Sequence, residues 1–382
     1  MKALKTALKL LAGLFIGITA GFLIAFLIVV LFTDTDAATF ASNMTEINVS
    51  EGLLSGGVGL VSAIVAAFIL IILHEAGHLV FGLLSGYRFV SFRVFNLTFI
   101  RINGKIRVKR FAIAGTGGQC LLTPPDLPLN KIPVTMYNLG GIVFNIAALV
   151  LVTPLLWCDL HPLMLEAVVI FILVDVIIII TNGIPMRMGG ISNDALNALS
   201  LRHDEKAKRG LVGMLRSNAL IQEGVRPKDM PDELFEIHGE VNYKNPLEVA
   251  IPMMEASRLI DEMRWEEAYD KFSSLSAHSD EIIKLYVKEI QCEVVFTSLV
   301  TGRIEEATGI YPKIRQYVQA YRKVSSGKER VLCAMALIHD REKAEAIYEG
   351  VLKRKEQYLL QGELKSDLAV MKEMLEKFQE TI

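Results

Sequence analysis

The amino-acid sequence predicts a mainly α-helical protein in two parts: a polytopic membrane helical domain with about four spans and a β-hairpin at its cytoplasmic surface, then a soluble α-helical repeat domain. The distribution of charge is the first observation behind this prediction. Residues 1–200 contain 12 Lys and Arg and 10 Asp and Glu, so 11% of their positions are charged. Residues 201–382 contain 28 Lys and Arg and 32 Asp and Glu, so 33% of their positions are charged. Soluble domains average about 25%. A single soluble globule and a disordered tail are therefore both excluded.

The overall charge and the cysteines exclude two further classes of protein. A formal net charge of −2 gives no reason to expect a nucleic acid as a partner. The four cysteines are scattered without any CxxC pair, so they indicate neither a disulfide framework nor a cysteine-ligated metal site; they are Cys120, Cys158, Cys292 and Cys333.

Four apolar runs are the second observation. At about 1.5 Å per residue, each is long enough to cross the ~30 Å hydrocarbon core of a lipid bilayer. The runs cover approximately residues 8–32, 53–84, 132–157 and 163–184. The first run is longer than the ~7–15 apolar residues of a signal peptide, so we interpret it as a retained span.

Basic residues beside the apolar runs predict the orientation of the chain in the bilayer. Lys2, Lys5 and Lys9 precede the first run, residues 33–52 contain four acids and no Lys or Arg, and residues 85–131 contain eight Lys and Arg. We therefore expect an integral, multi-pass protein of the bacterial cell membrane, with its N- and C-termini in the cytoplasm.

The segment after the second run predicts a β-hairpin. Residues 105–108 alternate basic and apolar side chains, residues 99–102 are apolar apart from Arg101, and Asn103-Gly104 separates the two strand-like segments. Asn-Gly supplies the two positive-φ residues that a tight hairpin turn needs. The edge of this hairpin could pair with an extended peptide, which is one recognised way of holding a substrate. A purely structural hairpin is the alternative.

Inside the second run the sequence reads His74-Glu75-Ala76-Gly77-His78. Histidines at i and i+4 lie on one face of a helix, so both imidazoles can bind one ion. Zinc suits imidazole and needs one further protein ligand, which leaves a fourth position for water. Glu75 can take a proton from that water as a general base. Ionisable residues within a span are costly, which favours a protein-lined or water-filled site over the alternative of two structural histidines.

Several elements of the membrane half together resemble a known protein family. The segment from His74 to Gly86, HEAGHLVFGLLSG, followed by the hairpin, resembles the site-2 protease family of intramembrane zinc metalloproteases. Gly141-Ile142-Val143-Phe144-Asn145 resembles the family's central GxxxN element, and Asn182-Gly183-Ile184-Pro185 resembles its Asn-x-x-Pro element. The resemblance covers about residues 53–200. It implies a three-helix core that uses Zn²⁺ to cleave transmembrane protein or peptide substrates within the bilayer.

The third zinc ligand departs from the family pattern. The resemblance implies an Asp-Gly pair shortly after the Pro, but Asp194 comes later and is followed by Ala195. We expect Asp194 to be the ligand because Gly189-Gly190 could let the chain loop back to the membrane-facing cavity. Asp175 is the alternative, since it is an isolated carboxylate in mid-span at about the depth of the histidines.

Two asparagines in the spans are further candidate catalytic residues. Asn145 and Asn182 could orient the scissile peptide or donate a hydrogen bond to the oxyanion formed when hydroxide attacks it. The alternative is an ordinary interhelical hydrogen bond, which is common for Asn in membrane helices and worth ~1 kcal/mol.

A weak repeat predicts the architecture of the cytoplasmic half. Residues 265–272, 303–311 and 341–348 each contain an Ala followed four residues later by an aromatic residue. This resembles tetratricopeptide repeats, whose helix pairs stack into a solenoid with a concave groove for a cytoplasmic protein partner. An irregular helical bundle with coincidental spacing is the alternative.

These predictions divide the chain into four segments and favour one function. Residues 1–52 form a transmembrane helix and external loop, 53–200 the metalloprotease core, 201–250 a linker and the start of the helical region, and 251–382 the repeat domain. We expect a zinc-dependent intramembrane endopeptidase whose substrates unwind locally, because a helix hides its carbonyls in its own hydrogen bonds. The alternatives are another class of HExxH membrane metalloprotease and a non-catalytic membrane scaffold.

Overall fold

The computed structural model describes residues 49–102, 104–110 and 117–377. The chain is mainly α-helical, with three helices of membrane-spanning length near its N-terminus, a small antiparallel sheet and a C-terminal helical region. The predicted span at residues 8–32 lies outside the described residues, as does Asn103 of the predicted turn. That first span therefore stays a prediction.

Three helices form the membrane part and contact one another pairwise: α1 (Val49–Leu84), α2 (Val134–Val152) and α3 (Pro162–Gly183). The stretches long and apolar enough to cross a bilayer are Leu54–Leu84, Leu129–Trp157 and Pro162–Gly183, in agreement with the second, third and fourth predicted runs. Leu60, Leu151 and Ile177 on their outer surfaces are more than half exposed. Such apolar exteriors are suited to lipid rather than water.

A four-stranded antiparallel sheet connects α1 to α2, in the order β3-β2-β1-β4: β1 (Arg88–Val94), β2 (Leu97–Ile102), β3 (Lys105–Arg110) and β4 (Gly118–Thr123). Strands β2 and β3 are the predicted hairpin. Ile102 pairs with Lys105, and Gly104 has the positive φ (76°) that the two-residue turn requires. Strands β1 and β4 were not predicted. The sheet therefore has two terminal strands, β3 on one side and β4 on the other.

A short hairpin follows α3 and returns the chain toward the membrane helices. Strands β5 (Arg187–Met188) and β6 (Ile191–Ser192) pair in antiparallel fashion. Gly189 and Gly190 form the turn between them, both with positive φ (60° and 89°), which residues with a Cβ rarely adopt. Helix α4 (Asp194–Ser200) begins directly afterwards.

Helix α5 (Glu205–Glu223) lies between the sheet and the C-terminal helical region. On one side, Val212 and Leu215 share a hydrophobic core with Leu122 of β4. On the other side, α5 contacts two helices of the C-terminal region. A second link comes from Lys109 of β3, whose Nζ donates to two backbone carbonyls in the turn before the last helix. The two parts of the protein are therefore packed together rather than tethered by a free linker.

The C-terminal region consists of successive helices that pack as pairs: α6 (Pro246–Asp261) with α7 (Trp265–Ala277), α8 (Lys284–Val300) with α9 (Ile304–Tyr321), and α10 (Ser326–Leu337) with α11 (Arg341–Lys353), followed by α12 (Gln361–Lys377). The repeated alanines, Ala268, Ala307 and Ala344, are each fully buried in the second helix of a pair. Their small side chains let the neighbouring helix approach closely. The tetratricopeptide assignment and a protein partner in its groove stay predictions.

Candidate metal centre

Helix α1 places His74 and His78 one turn apart on its buried face. Each residue is 9% exposed, and their Nε2 atoms are 3.2 Å apart. The imidazole planes are nearly perpendicular, with ring centroids separated by 4.8 Å. Both Nε2 atoms therefore point to the same location, as the i, i+4 spacing predicts.

Asp194, the first residue of α4, completes the group. Its Oδ2 lies 3.0 Å from His74 Nε2 and 3.3 Å from His78 Nε2. The structure thus brings together the two histidines and the predicted aspartate as three residues that could hold a metal ion. Asp175, the alternative ligand, is not in this group.

Hydrogen bonds on the far side of each imidazole determine which nitrogen faces the centre. His74 Nδ1 lies 2.7 Å from Asn145 Oδ1, and His78 Nδ1 lies 2.8 Å from the backbone carbonyl of Tyr137. Both partners are acceptors, so each Nδ1 carries the proton and donates it. Each Nε2 then presents its lone pair to the centre, which is the tautomer that a metal ligand requires.

The mutual distances of the three inward atoms fit a tetrahedral site. Two imidazole lone pairs and a carboxylate oxygen that face one another at 3.0–3.3 Å repel unless positive charge lies between them. Protons on the imidazoles or one bound metal ion would supply that charge. For tetrahedral bonds of ~2.0–2.1 Å, ligand atoms lie roughly 3.3 Å apart, close to the spacing observed here.

Glycines at the crossing of α1 and α2 make room for the imidazoles. A Cβ on Gly77 would lie 2.2 Å from the carbonyl oxygen of Gly140, and a Cβ on Gly140 would lie 2.4 Å from that of Gly77. A Cβ on Gly141 would lie 2.6 Å from the His74 ring. The GxxxN element therefore has a local explanation, in which Gly141 leaves space for the His74 ring and Asn145, one turn later, hydrogen-bonds to it.

Asn193 fixes the position of Asp194. Its Oδ1 accepts from the backbone N–H groups of Leu196 and Met186, at 3.0 and 3.2 Å, so it caps the N-terminus of α4. Its Nδ2 donates to the carbonyls of Thr181 and Ile184 at the end of α3. One side chain thus connects the end of α3 to the start of α4 across the β5–β6 hairpin.

The β5–β6 hairpin also touches the C-terminal helical region. Arg187 Nη1 donates to the backbone carbonyl of Lys244 at 3.4 Å. At the turn, a Cβ on Gly190 would come within 2.4 Å of the Ile283 side chain, just before α8. The segment that delivers Asp194 is therefore in contact with both parts of the protein.

Glu75 lies next to strand β4. A Cβ on Gly118 would be 2.6 Å from Glu75 Oε1, so a larger residue at this position of β4 would require the Glu75 side chain to move. The buried Arg93 side chain donates through Nη2 to the carbonyl oxygen of Gly118 at 3.3 Å. Burial lowers the pKa of the Arg93 guanidinium, and the charge of Glu75 opposes that shift. The predicted base therefore lies beside a cation and a terminal strand.

The two predicted asparagines have different surroundings. Asn145 is fully buried between His74 and Asp175, and its Nδ2 donates to Asp175 Oδ1 at 2.9 Å. Asn182 Nδ2 donates to the carbonyl of Ile178 in its own helix at 3.0 Å. Their predicted roles at the scissile bond stay predictions.

Sequence reasoning did not identify four contributors to the site: Tyr137, whose carbonyl orients His78, Gly118, Arg93 and Asn193. For Asn193 a sequence signal existed, since Asn before Asp-Ala-Leu is typical of a helix N-cap. The other three depend on packing between segments far apart in the chain, for which the sequence carries no local signal.

Comparisons of this chain with models of known protein families, with curated proteins and with solved structures find no match. The structure itself establishes a buried His74, His78 and Asp194 group that could hold a metal ion, among helices long and apolar enough to span a membrane.

Proposed function

We propose that this protein is a zinc-dependent endopeptidase that hydrolyses peptide bonds of membrane-spanning substrates within the bilayer. One observation carries the proposal: His74, His78 and Asp194 converge on one point inside a membrane-length helical bundle, with Glu75 adjacent to the first histidine. A metal-binding group alone could be structural. A carboxylate beside it that binds no metal is what hydrolysis additionally requires.

Zinc is the metal best suited to these donors. Two imidazole nitrogens and one carboxylate oxygen leave a fourth tetrahedral position, which is the composition of catalytic rather than structural zinc sites. A magnesium or calcium site would instead present mostly oxygen ligands. The distances of 3.0–3.3 Å among the three donor atoms support four-coordinate geometry.

The side chains of this site have distinct roles in the proposed reaction. When zinc is bound, it lowers the pKa of a coordinated water and polarises the scissile carbonyl. Glu75 accepts the proton of the attacking water and then passes it to the leaving amine. Asn145 keeps the His74 ring oriented through Nδ1, and Asp175 in turn holds the Asn145 amide.

Strand β4 is the element best placed to hold a substrate. It is a terminal strand of the sheet, and its Gly118 lies against Glu75. A substrate segment added along β4 would be extended, with its carbonyl groups accessible and its backbone polar groups paired. The predicted hairpin edge, β3, is the other terminal strand of the sheet. The position of Glu75 favours β4 as the site of substrate addition.

The membrane orientation forms part of the same proposal. The basic residues of the sheet and the acidic 33–52 segment favour a cytoplasmic sheet and cytoplasmic termini in a bacterial cell membrane. Cleavage would then occur on the cytoplasmic side of the bilayer. Cysteine accessibility across intact membranes, probed at the exposed Cys158, tests this orientation.

The decisive experiment compares metal content and cleavage in purified protein. The full chain in detergent is analysed for zinc and incubated with a single-span model substrate. We expect about one zinc per chain and cleavage by the wild type, with Glu75→Gln retaining zinc but losing cleavage by a factor of roughly 10² or more. Glu166→Gln is the matched control, because Glu166 is also a carboxylate in a membrane helix but is hydrogen-bonded to Ser55 instead. Equal cleavage by wild type and Glu75→Gln would refute the mechanism.

A further inference from the structure

A polar cavity of about 300 Å³ lies in the C-terminal half, between α5, α6, α8, α10 and α12. None of the residues of the metal centre lines it. Its volume is at the lower end of the range for small-molecule sites in proteins. The cavity is separate from the metal centre, so a ligand could bind there whether or not the protein is a peptidase.

Carboxylates outnumber cations in this cavity. Four acids line it, Glu289, Glu293, Glu363 and Asp367, together with the two bases Lys328 and Arg330. Both bases are 5% exposed or less, and both are already engaged. Lys328 pairs with Glu289, while Arg330 pairs with Glu293 and, through Nε, with Asp367 at 3.3 Å. The internal ion pairs therefore account for three of the four carboxylates.

Two polar groups at the cavity take no part in these ion pairs. Glu363, near the start of α12, is the carboxylate left over from the ion pairs. Ser217 on α5 is only 3% exposed, and its Oγ has no hydrogen-bond partner among the described residues. Leaving a buried polar group unsatisfied costs ~1–3 kcal/mol, so the Ser217 hydroxyl indicates a missing hydrogen-bond partner at the cavity.

Methionine side chains form an adaptable, apolar part of the cavity wall. Met214, Met230, Met253 and Met254 line it together with Phe235. Methionine side chains adjust to irregular shapes, and they are common at surfaces that accommodate an apolar ligand. A cavity with one unpaired carboxylate and a methionine wall matches a ligand with one cationic end and one apolar end.

We propose that this cavity binds a small organic cation, a primary amine with an apolar body, whose ammonium group pairs with Glu363 and donates to Ser217 while the apolar body lies against the methionines. An anion would face an excess of negative charge. A divalent metal ion would need several free oxygen ligands, and only one carboxylate is uncommitted. A wholly apolar ligand would leave the Ser217 hydroxyl unsatisfied and the Glu363 carboxyl without a counter-charge.

The ionisation of Glu363 gives the proposal a further signature. The pKa of the Glu363 carboxyl is raised to about 8, mainly by burial. The negative charges of Asp367, Glu289 and Glu293 raise this pKa further, whereas the positive charge of Lys328 lowers it. Without a ligand the carboxyl is therefore largely protonated at neutral pH. Binding of an ammonium group favours the carboxylate, so binding should release a proton to the buffer.

Isothermal titration of the full chain in detergent with 2-phenylethylamine tests this site, with 2-phenylethanol as the uncharged analogue. Heats from uptake into protein-free micelles are subtracted. We expect saturable binding of the amine at one site per chain and at least ~10-fold weaker binding of the alcohol. Titration at pH 7 in two buffers of different ionisation enthalpy should report proton release on binding of the amine.

Matched variants identify the residue responsible. Glu363→Gln keeps the shape of the side chain and should weaken binding of the amine by at least ~10-fold, without changing the affinity for the alcohol. Ser217→Ala should weaken binding of the amine by a smaller factor. Glu376→Gln, an exposed carboxylate on the same helix, should bind the amine like the wild type. Three results would each overturn the proposal. They are equal binding of the amine by wild type and Glu363→Gln, equal affinities of the wild type for amine and alcohol, and no binding beyond uptake into micelles.

Discussion

Gly141 is the residue against which the His74 ring lies, and it gives the first prediction. In Gly141→Ala the new methyl group would be 2.6 Å from the ring, a distance that real Cβ atoms do not tolerate, so the imidazole must rotate away from the centre. We expect metal affinity to fall by about 10-fold or more. The measurement is competition for zinc with a chromophoric chelator. Gly183→Ala, whose Cβ meets its nearest neighbour at 3.6 Å, should retain its affinity.

Asn145 gives a second prediction about the same imidazole. Asn145→Ala removes the acceptor of the His74 Nδ1 proton and leaves Asp175 without its partner. We expect zinc affinity to fall by about 10- to 100-fold, the range typical when a metal-binding imidazole loses the hydrogen bond that orients it. Asn138→Ala is the control, since Asn138 is buried in the same helix but bonds only to the carbonyl of Val134. A similar loss of affinity in both variants would mean that general destabilisation of α2 is responsible.

The residues of the site differ in how far the sequence could predict them. His74, Glu75 and His78 follow from one helical motif, and their convergence needs only the 3.6-residue period. The choice between Asp194 and Asp175 could not be made from depth along a helix, because depth does not say which side chains face each other. Asn145 was recognised as a candidate, but its contact with His74 depends on how closely α1 and α2 cross. That distance is set by Gly77 and Gly140 on separate helices.

At the scale of elements, the β5–β6 hairpin with its cap determines whether Asp194 reaches the histidines. Asn193→Ala removes two hydrogen bonds donated to carbonyls at the end of α3 and two accepted from the backbone N–H groups of Met186 and Leu196. Losing an N-cap alone costs ~1 kcal/mol. We expect the occupancy of zinc after dialysis to fall by more than half. Asn197→Ala loses a single 3.4 Å hydrogen bond and serves as the control. Full zinc in Asn193→Ala would show that the hairpin holds its position without the cap.

The elements were predictable where their signals are local. The three described membrane helices follow from apolar length, and the β2–β3 hairpin follows from Asn103-Gly104 between alternating segments. Strand β4 was missed because it pairs with β1 across more than twenty residues, and its glycine-rich start resembles a loop. Strand β1 pairs locally with β2, but the two residues between them, Phe95 and Asn96, lack the Asn-Gly signal of a hairpin turn. Gly118 lacks a side chain because Glu75 occupies that space, and this reason is visible only in three dimensions.

At the scale of the whole molecule, the buried charge cluster in the helical region predicts a dependence of stability on pH. The pKa of Glu363 is raised in the folded state to about 8 from an ordinary value of 4.5, mainly by burial. The folded protein therefore retains a proton that the unfolded chain loses. The stabilisation is complete below pH 4.5 and is lost as the pH rises toward 8, by up to about 1.4 kcal/mol per pH unit. Burial also raises the pKa of Glu293 and Asp367, which act in the same direction, while Lys328 and Arg330 stay charged.

Fluorescence of Trp265 can measure this effect. In a Trp157→Phe background, Trp265 is the only tryptophan left, and it is buried in the helical region. We expect the midpoint of denaturant unfolding to fall between pH 5 and pH 8, and Glu363→Gln to reduce that slope. An unchanged slope in Glu363→Gln would show that other carboxyls are responsible for the dependence.

The contact between the β5–β6 hairpin and the helical region has a consequence for the order of events during biosynthesis. His74 and His78 enter the membrane early, whereas Lys244 and Ile283, against which the hairpin rests, leave the ribosome later. A nascent chain therefore contains both imidazoles before the helical region is available to support the hairpin that carries Asp194. We expect the group of His74, His78 and Asp194 to bind metal tightly only after the helical region has folded.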